Sequence, residues 1–201
     1  MIAIVDFGMG NLRNVHRACG EIGAECVVTA DAAAVRDASK VILPGVGAFG
    51  EAVKRIDMLG LREPIMRHVS EGKPLLGICL GMQLLYEESE ESPGASGLGL
   101  LPGNVKKFGD DVKVPHIGWN DVHPVGGSRL FDREGGIFYF VHSFYAGIGP
   151  ETIARAEYGI PFSAAVGKGN VLGVQFHPEK SQAVGLALLK RFAAIPIDGD
   201  R

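Results

Sequence analysis

Cys79 lies in the stretch GICLGMQ, where the apolar run PLLGI gives way to a helical pattern, with Gly77 and Gly81 two residues to either side. A sharp strand-to-helix turn leaves room only for small neighbours around its strained central residue, so this spacing suits a nucleophile elbow. Unpaired N–H groups at the start of the following helix favour a thiolate, and the thiolate is the form that attacks a carbonyl carbon. The competing interpretation is a buried cysteine that packs as a small hydrophobe, and it is the one that suits Cys19 and Cys26, on a helix face and a strand.

A second motif, VQFHPEKS, shifts the balance at Cys79. A thiolate nucleophile needs a base that takes its proton and returns it to a leaving amine, and His177 is the candidate. Glu179, two residues on, can hold the imidazole in one tautomer and stabilise its cation. Pro178 fixes one φ between them, and in an extended segment residues i and i+2 point the same way. His16, His68, His116, His123 and His142 lack a carboxylate in this arrangement, and for most of them surface or satisfied core is the better assignment. A tetrahedral intermediate also needs oxyanion donors. The N–H of Leu80 is one candidate. The PGVG turn, Pro44 to Gly47, offers another at Gly45 and Val46, where flanking glycines let a peptide rotate its N–H inward; the alternative there is an ordinary strand-end turn.

These residues need a scaffold. MIAIVD, AECVVTA, KVILPG and PLLGI are short apolar runs consistent with strands, and the segments NLRNVHRACGEIG, AFGEAVKRIDMLG and LREPIMRHVSEG are helical, each closed by a glycine. Strands alternating with helices over the first ninety residues imply crossovers, hence a mainly parallel sheet covered on both faces. From about Pro93 the texture changes to short strand-like segments separated by Gly, Asn or Pro, which suit hairpins or meanders. A last helix is expected from SQAVGLALLKRFAAI, with Ser181 as N-cap. No repeat or linker marks a second unit, so a single domain over 1–201 is expected.

Composition excludes classes without naming a function. A formal charge of -3 gives no basic footprint for nucleic acid. No run reaches the roughly 18 apolar residues that span a bilayer, and three cysteines at wide spacings suit reduced thiols in a cytoplasmic protein. Glycine, at 29 of 201 residues, is roughly twice its ordinary usage, so tight turns and close backbone approaches should be frequent.

With both motifs present, the sequence resembles the class I (triad) glutamine amidotransferases: GICLGMQ matches their G-x-C-x-G-x-Q pattern and FHPE their His-x-Glu segment. Within them it is similar to the glutaminase-subunit family of imidazole glycerol phosphate synthase, through DFGMGNLRN, LPGVGAFG, GICLGMQLLYEESEE, VPHIGWN, YFVHSFY and GVQFHPEKS. Phe7 and Phe144 stand where tyrosine is commoner in that pattern. The resemblance implies a flavodoxin-like α/β fold with an added antiparallel region in the C-terminal half.

It also implies a reaction: glutamine is hydrolysed to glutamate and ammonia through a thioester on Cys79, without metal or cofactor. Gln83 would hold the substrate, Glu91 its α-ammonium, and the backbone of Ser143 and Phe144 its carboxylate. From the residues alone, Gln83 equally suits a helix surface and Glu91 a solvated acidic run. The implied partner is a separate barrel-shaped cyclase subunit, joined in a heterodimer, which combines the ammonia with a phosphorylated ribulosyl intermediate in histidine biosynthesis. Asn11, Asn14, Trp119 and Lys180 are the docking residues by the same resemblance, with a core role the alternative for Trp119. A further expectation is that the PGVG donor points away until the cyclase binds its substrate.

Two other readings stay open. The glutaminases of pyridoxal phosphate synthase or anthranilate synthase share the chemistry up to ammonia release. A redox-sensing flavodoxin-like protein, with its elbow cysteine oxidised rather than acylated, would not need the His177 and Glu179 pair.

Overall fold

The computed structural model describes residues 1–132 and 134–197. The first part of the chain alternates as expected: β1 (Ile2–Val5), α1 (Leu12–Glu21), β2 (Cys26–Thr29), α2 (Ala32–Asp37), β3 (Lys40–Gly45), α3 (Phe49–Met58), α4 (Arg62–Ser70) and β4 (Leu75–Cys79). The short α2 was not anticipated; Asp31 starts it by accepting the Ala34 N–H at 2.7 Å. After α5 (Leu80–Gln83) come β5 (Glu88–Ser89), β6 (Asn104–Lys107), β7 (His116–Pro124), β8 (Gly136–His142), β9 (Phe144–Ala146), β10 (Thr152–Tyr158), β11 (Ile160–Lys168) and β12 (Val171–Val174). A 3-10 turn (Pro178–Lys180) and α6 (Gln182–Ala193) follow.

Nine strands form one sheet in the order β2-β1-β3-β4-β12-β11-β10-β7-β8. The half from β2 to β12 is parallel, and β11, β10, β7 and β8 extend it antiparallel. This is the flavodoxin-like sheet with its antiparallel addition. A second sheet, β5-β6-β9, is small.

The inner parallel strands β1, β3, β4 and β12 are buried on both faces, the edge strand β2 only half-buried, and the inner strands' side chains alternate between two cores. Ile2, Ile4, Ile42, Leu76 and Ile78 join the cluster under α1 and α6. Ala3, Val5, Val41, Leu43 and Leu75 join the other, with side chains from α2, α3 and α4. Burial on both sides is why these strands are continuously apolar. Their register also brings the chemistry together: Gly45 of β3 is opposite Cys79, and Val174 of β12 is opposite Ile78. The carboxyl ends of β3, β4 and β12 therefore meet at one crevice, where ligands bind in open α/β sheets. Among the described residues, no helix is long and apolar enough to cross a membrane.

Candidate active site

Cys79 is 6% exposed and adopts φ 55° and ψ -111°, a conformation that costs a non-glycine residue energy. The flanking glycines are what permit it. A Cβ on Gly77 would lie 2.5 Å from the carbonyl oxygen of Gly81, and one on Gly81 would run into the carbonyl oxygen of Leu43. The following helix is shorter than the sequence pattern suggested: α5 is one turn, Leu80 to Gln83, and the chain then leaves it through turns. A single turn has little macrodipole to offer the sulfur. What reaches the sulfur instead is the Gln175 Nε2 donor at 3.8 Å, and the sulfur lies 3.8 Å from the Val141 carbonyl oxygen.

His177 and Glu179 meet as expected, Nδ1 to Oε1 at 2.8 Å, with side chains 2% and 1% exposed. The route differs from the expected one. His177 itself is extended, but residues 178–180 form a 3-10 turn that curls Glu179 back onto the ring. Ser181 sits at the N-terminus of α6 without capping it through its side chain. Its hydroxyl donates to the His177 carbonyl at 2.6 Å and accepts the Tyr139 N–H at 3.0 Å, pinning the histidine's backbone to β8.

Because Nδ1 faces a carboxylate it carries the proton, which leaves Nε2 for proton exchange. Among the described residues, neither that buried Nε2 nor Glu179 Oε2 meets the geometry of a hydrogen bond. Burial alone would lower the ring's basicity, but the negative sulfur of Cys79 and the Glu179 carboxylate outweigh it and push His177 up to about 10.

Beside Cys79 is a cavity of about 340 Å³, lined by Val46, Leu80, Gln83, Glu91, Ser143 and Phe144 together with Gly47, Pro115, Val141 and His142. All four expected substrate contacts thus face one space with the sulfur. Gly45 does not line it; it is buried, with the Leu80 side chain next to it. Gln83 donates through Nε2 to the Phe144 carbonyl at 3.0 Å and to Gln175 Oε1 at 3.1 Å. Glu91 is more than a solvated acid, since its Oε2 accepts the Phe49 N–H at the start of α3 at 2.7 Å. The sequence reading missed Gln175 and His142. Gln175 stands two residues before His177, so the same i, i+2 logic could have flagged it.

Among the docking candidates, Asn14 and Lys180 share a cleft of about 320 Å³ with Glu179. Asn11 accepts the Asn14 N–H through its carbonyl. Trp119 is 49% exposed, which removes the core alternative, and lines an adjoining apolar depression with Ile137 and Val184. The Trp119 ring packs edge-on to Tyr139 at 5.9 Å, and Lys180 Nζ stands 5.4 Å from the same Tyr139 ring. Cys19 is fully buried, its thiol pushed up to about 12 by burial; Cys26 is half-buried.

An elbow cysteine, a carboxylate-paired histidine and a flavodoxin-like sheet define a class of amidotransferase, and the chain belongs to the glutamine amidotransferase class-I family, whose model matches residues 3–194. Within that family it falls among the subunits named imidazole glycerol phosphate synthase subunit HisH. The one from Geobacter metallireducens is 48% identical, over 96% of this chain and 97% of that one. The one from Methanothermobacter thermautotrophicus is 47% identical, over 97% and 98%. Solved structures share the fold: one described as a glutamine amidotransferase has a TM-score of 0.74 at 24% identity, covering 96% of this chain and 99% of that one. A chain of PurLQS from Thermotoga maritima gives 0.72 at 21%, covering 95% and 96%.

Proposed function

We propose that this chain is the glutaminase subunit of an imidazole glycerol phosphate synthase, working as a single domain that hydrolyses glutamine at Cys79. Cys79 attacks the side-chain amide carbon as the thiolate, its proton already held on His177 Nε2, while the backbone N–H of Leu80 and a donor from the PGVG turn hold the oxyanion. His177 returns the proton to the leaving nitrogen, ammonia departs, and water cleaves the γ-glutamyl thioester to glutamate. A histidine that keeps its proton well above neutral pH is suited to the acid step. Gln83, Glu91 and the backbone at Ser143 and Phe144 hold the rest of glutamine.

The observation that carries this reading is the convergence of Cys79 with the His177–Glu179 pair beside a cavity lined by all four substrate candidates. The same Glu179 faces the cleft shared with Asn14 and Lys180, and this supports a cyclase subunit docking on that side in a heterodimer. Ammonia then passes between subunits before it becomes ammonium in bulk water. The cytoplasm is the compartment in which both subunits work.

The test is ammonia release from glutamine by the purified chain with and without a cyclase subunit. Turnover that requires Cys79 and rises when the cyclase and its substrate are present supports the proposal. A chain inert toward glutamine in the complex sinks it. Comparable turnover alone and in the complex would remove the idea that the PGVG donor waits for the partner.

A further inference from the structure

We propose that Gln175 is a positioning residue for the nucleophile, its oriented side-chain amide donating to the sulfur of Cys79 and favouring the thiolate over the thiol; this rests on the reading of Cys79 as the nucleophile. Gln175 is 0% exposed, directly beyond the end of β12. A buried primary amide is expensive to keep in a core unless its groups are used. Here one end meets Gln83 and the other the sulfur.

The oxygen and nitrogen of such an amide are alike in shape, so only partners decide which faces the sulfur. The Phe144 carbonyl accepts from Gln83 at 3.0 Å, and a carbonyl can only accept, so Gln83 presents its NH₂ there and toward Gln175. Gln175 must then turn its oxygen to Gln83 and its N–H to Cys79. The same carbonyl accepts from His142 Nδ1 at 2.8 Å, which fixes that proton on Nδ1. His142 Nε2 is therefore an acceptor, and His116 Nδ1 donates to it at 3.0 Å. Burial holds His116 down to about 4 and His142 down to about 3, so both rings stay neutral and this order of donors persists at working pH.

The two contacts of the sulfur have opposite preferences. Val141 offers a carbonyl oxygen, which suits S–H. Gln175 offers N–H, which suits S⁻. When the proton moves to His177, the first contact loses its donor and the second strengthens. With α5 reduced to one turn, Gln175 supplies what a longer helix N-terminus would have supplied.

Three forms of the chain in complex with the cyclase test this: wild type, Gln175→Leu, and the isosteric Gln175→Glu, which retains the shape but places acceptors against the sulfur. Glutamine turnover is measured together with alkylation of Cys79 by iodoacetamide, read by mass spectrometry. The expected result for Gln175→Leu is a kcat lower by about tenfold or more, KM within about threefold, and alkylation near neutral pH slowed to match but restored to the wild-type rate at alkaline pH. Gln175→Glu should be slower still in both. Wild-type kcat and alkylation in the two variants would overturn the proposal, as would a raised KM at unchanged kcat. Either outcome leaves wild-type turnover intact, whereas failure of the glutaminase reading removes wild-type turnover itself.

Discussion

Glu179 reaches back over a single 3-10 turn to place Oε1 2.8 Å from Nδ1 of His177, and the two side chains bury each other almost completely. A buried carboxylate beside a ring that also faces a sulfur does two things at once. It fixes the tautomer, and it holds a proton on the ring against the pull of burial.

Replacing that carboxylate separates the two effects. Glu179→Gln keeps a hydrogen-bond partner for Nδ1 but removes the charge, so His177 should lose its proton at lower pH. We expect kcat to fall by roughly tenfold to a hundredfold, less than for His177→Ala, with the alkaline limb of the rate profile moved toward neutral. The stability sign follows from a raised histidine: its contribution is complete below about 6.5, and is lost as pH rises through about 10. The variant should therefore show a flatter alkaline decline in its urea midpoint. An unchanged limb would mean that the carboxylate holds the ring in place without holding its proton.

At Cys79 the backbone and the sulfur can be tested apart. Cys79→Ala should abolish glutamine hydrolysis while the cyclase still works with ammonium salts. Cys79→Gly should be equally inactive yet more stable than Cys79→Ala by about 1 kcal/mol, because glycine adopts φ 55° without the penalty alanine bears. Thermal unfolding of the two variants decides it, and equal stabilities would show that the elbow stores no strain.

The elbow and the parallel half of the sheet were legible because close packing forces small residues and continuous apolar strands into the sequence itself. Gly77 and Gly81 can be seen in the chain, and so can the apolar run of β1. The turn at Pro178 was not legible, because His-Pro-Glu permits both an extended segment and a 3-10 turn; contacts with β8 through Ser181 choose between them. Ser181 itself looks like a cap from its position alone. The length of α5 is set in the same way, since Leu84 and Leu85 continue an apolar run while tertiary packing turns the chain. Gln175 and the His116–His142 pair were hidden for another reason. Their roles depend on strands far apart in sequence, and no local pattern distinguishes a networked amide or imidazole from a satisfied one.

The histidine pair predicts acid sensitivity. Both rings are held neutral by burial, so the unfolded chain binds protons that the folded chain refuses between about 6.5 and the values of about 4 and 3. Stability is therefore complete above about 6.5 and falls as pH drops through that window. His116→Phe keeps the stacking against Phe140 and Tyr158. It should cost stability at neutral pH by leaving His142 Nε2 unpaired, yet flatten the acid decline. Urea midpoints from neutral to pH 4 read both effects, and parallel curves for the two proteins would remove the pair as the source.

The face proposed to meet the cyclase can be tested last. Trp119, Ile137 and Val184 expose apolar surface next to a cleft that holds Asn14, Lys180 and Glu179. Exposed aromatic anchors of this kind carry a disproportionate share of interface energy, and leaving one in water costs the free subunit little. Trp119→Ala should weaken cyclase binding by about 2 kcal/mol or more, seen as a roughly thirtyfold rise in Kd by calorimetry, while the thermal midpoint of the isolated chain moves by little. Lys180 leans toward the Tyr139 ring that Trp119 packs against, so Lys180→Ala should weaken binding less by itself and non-additively with Trp119→Ala. Binding unaffected by Trp119→Ala would place the cyclase on another face, and the cleft beside Glu179 would then need a different occupant.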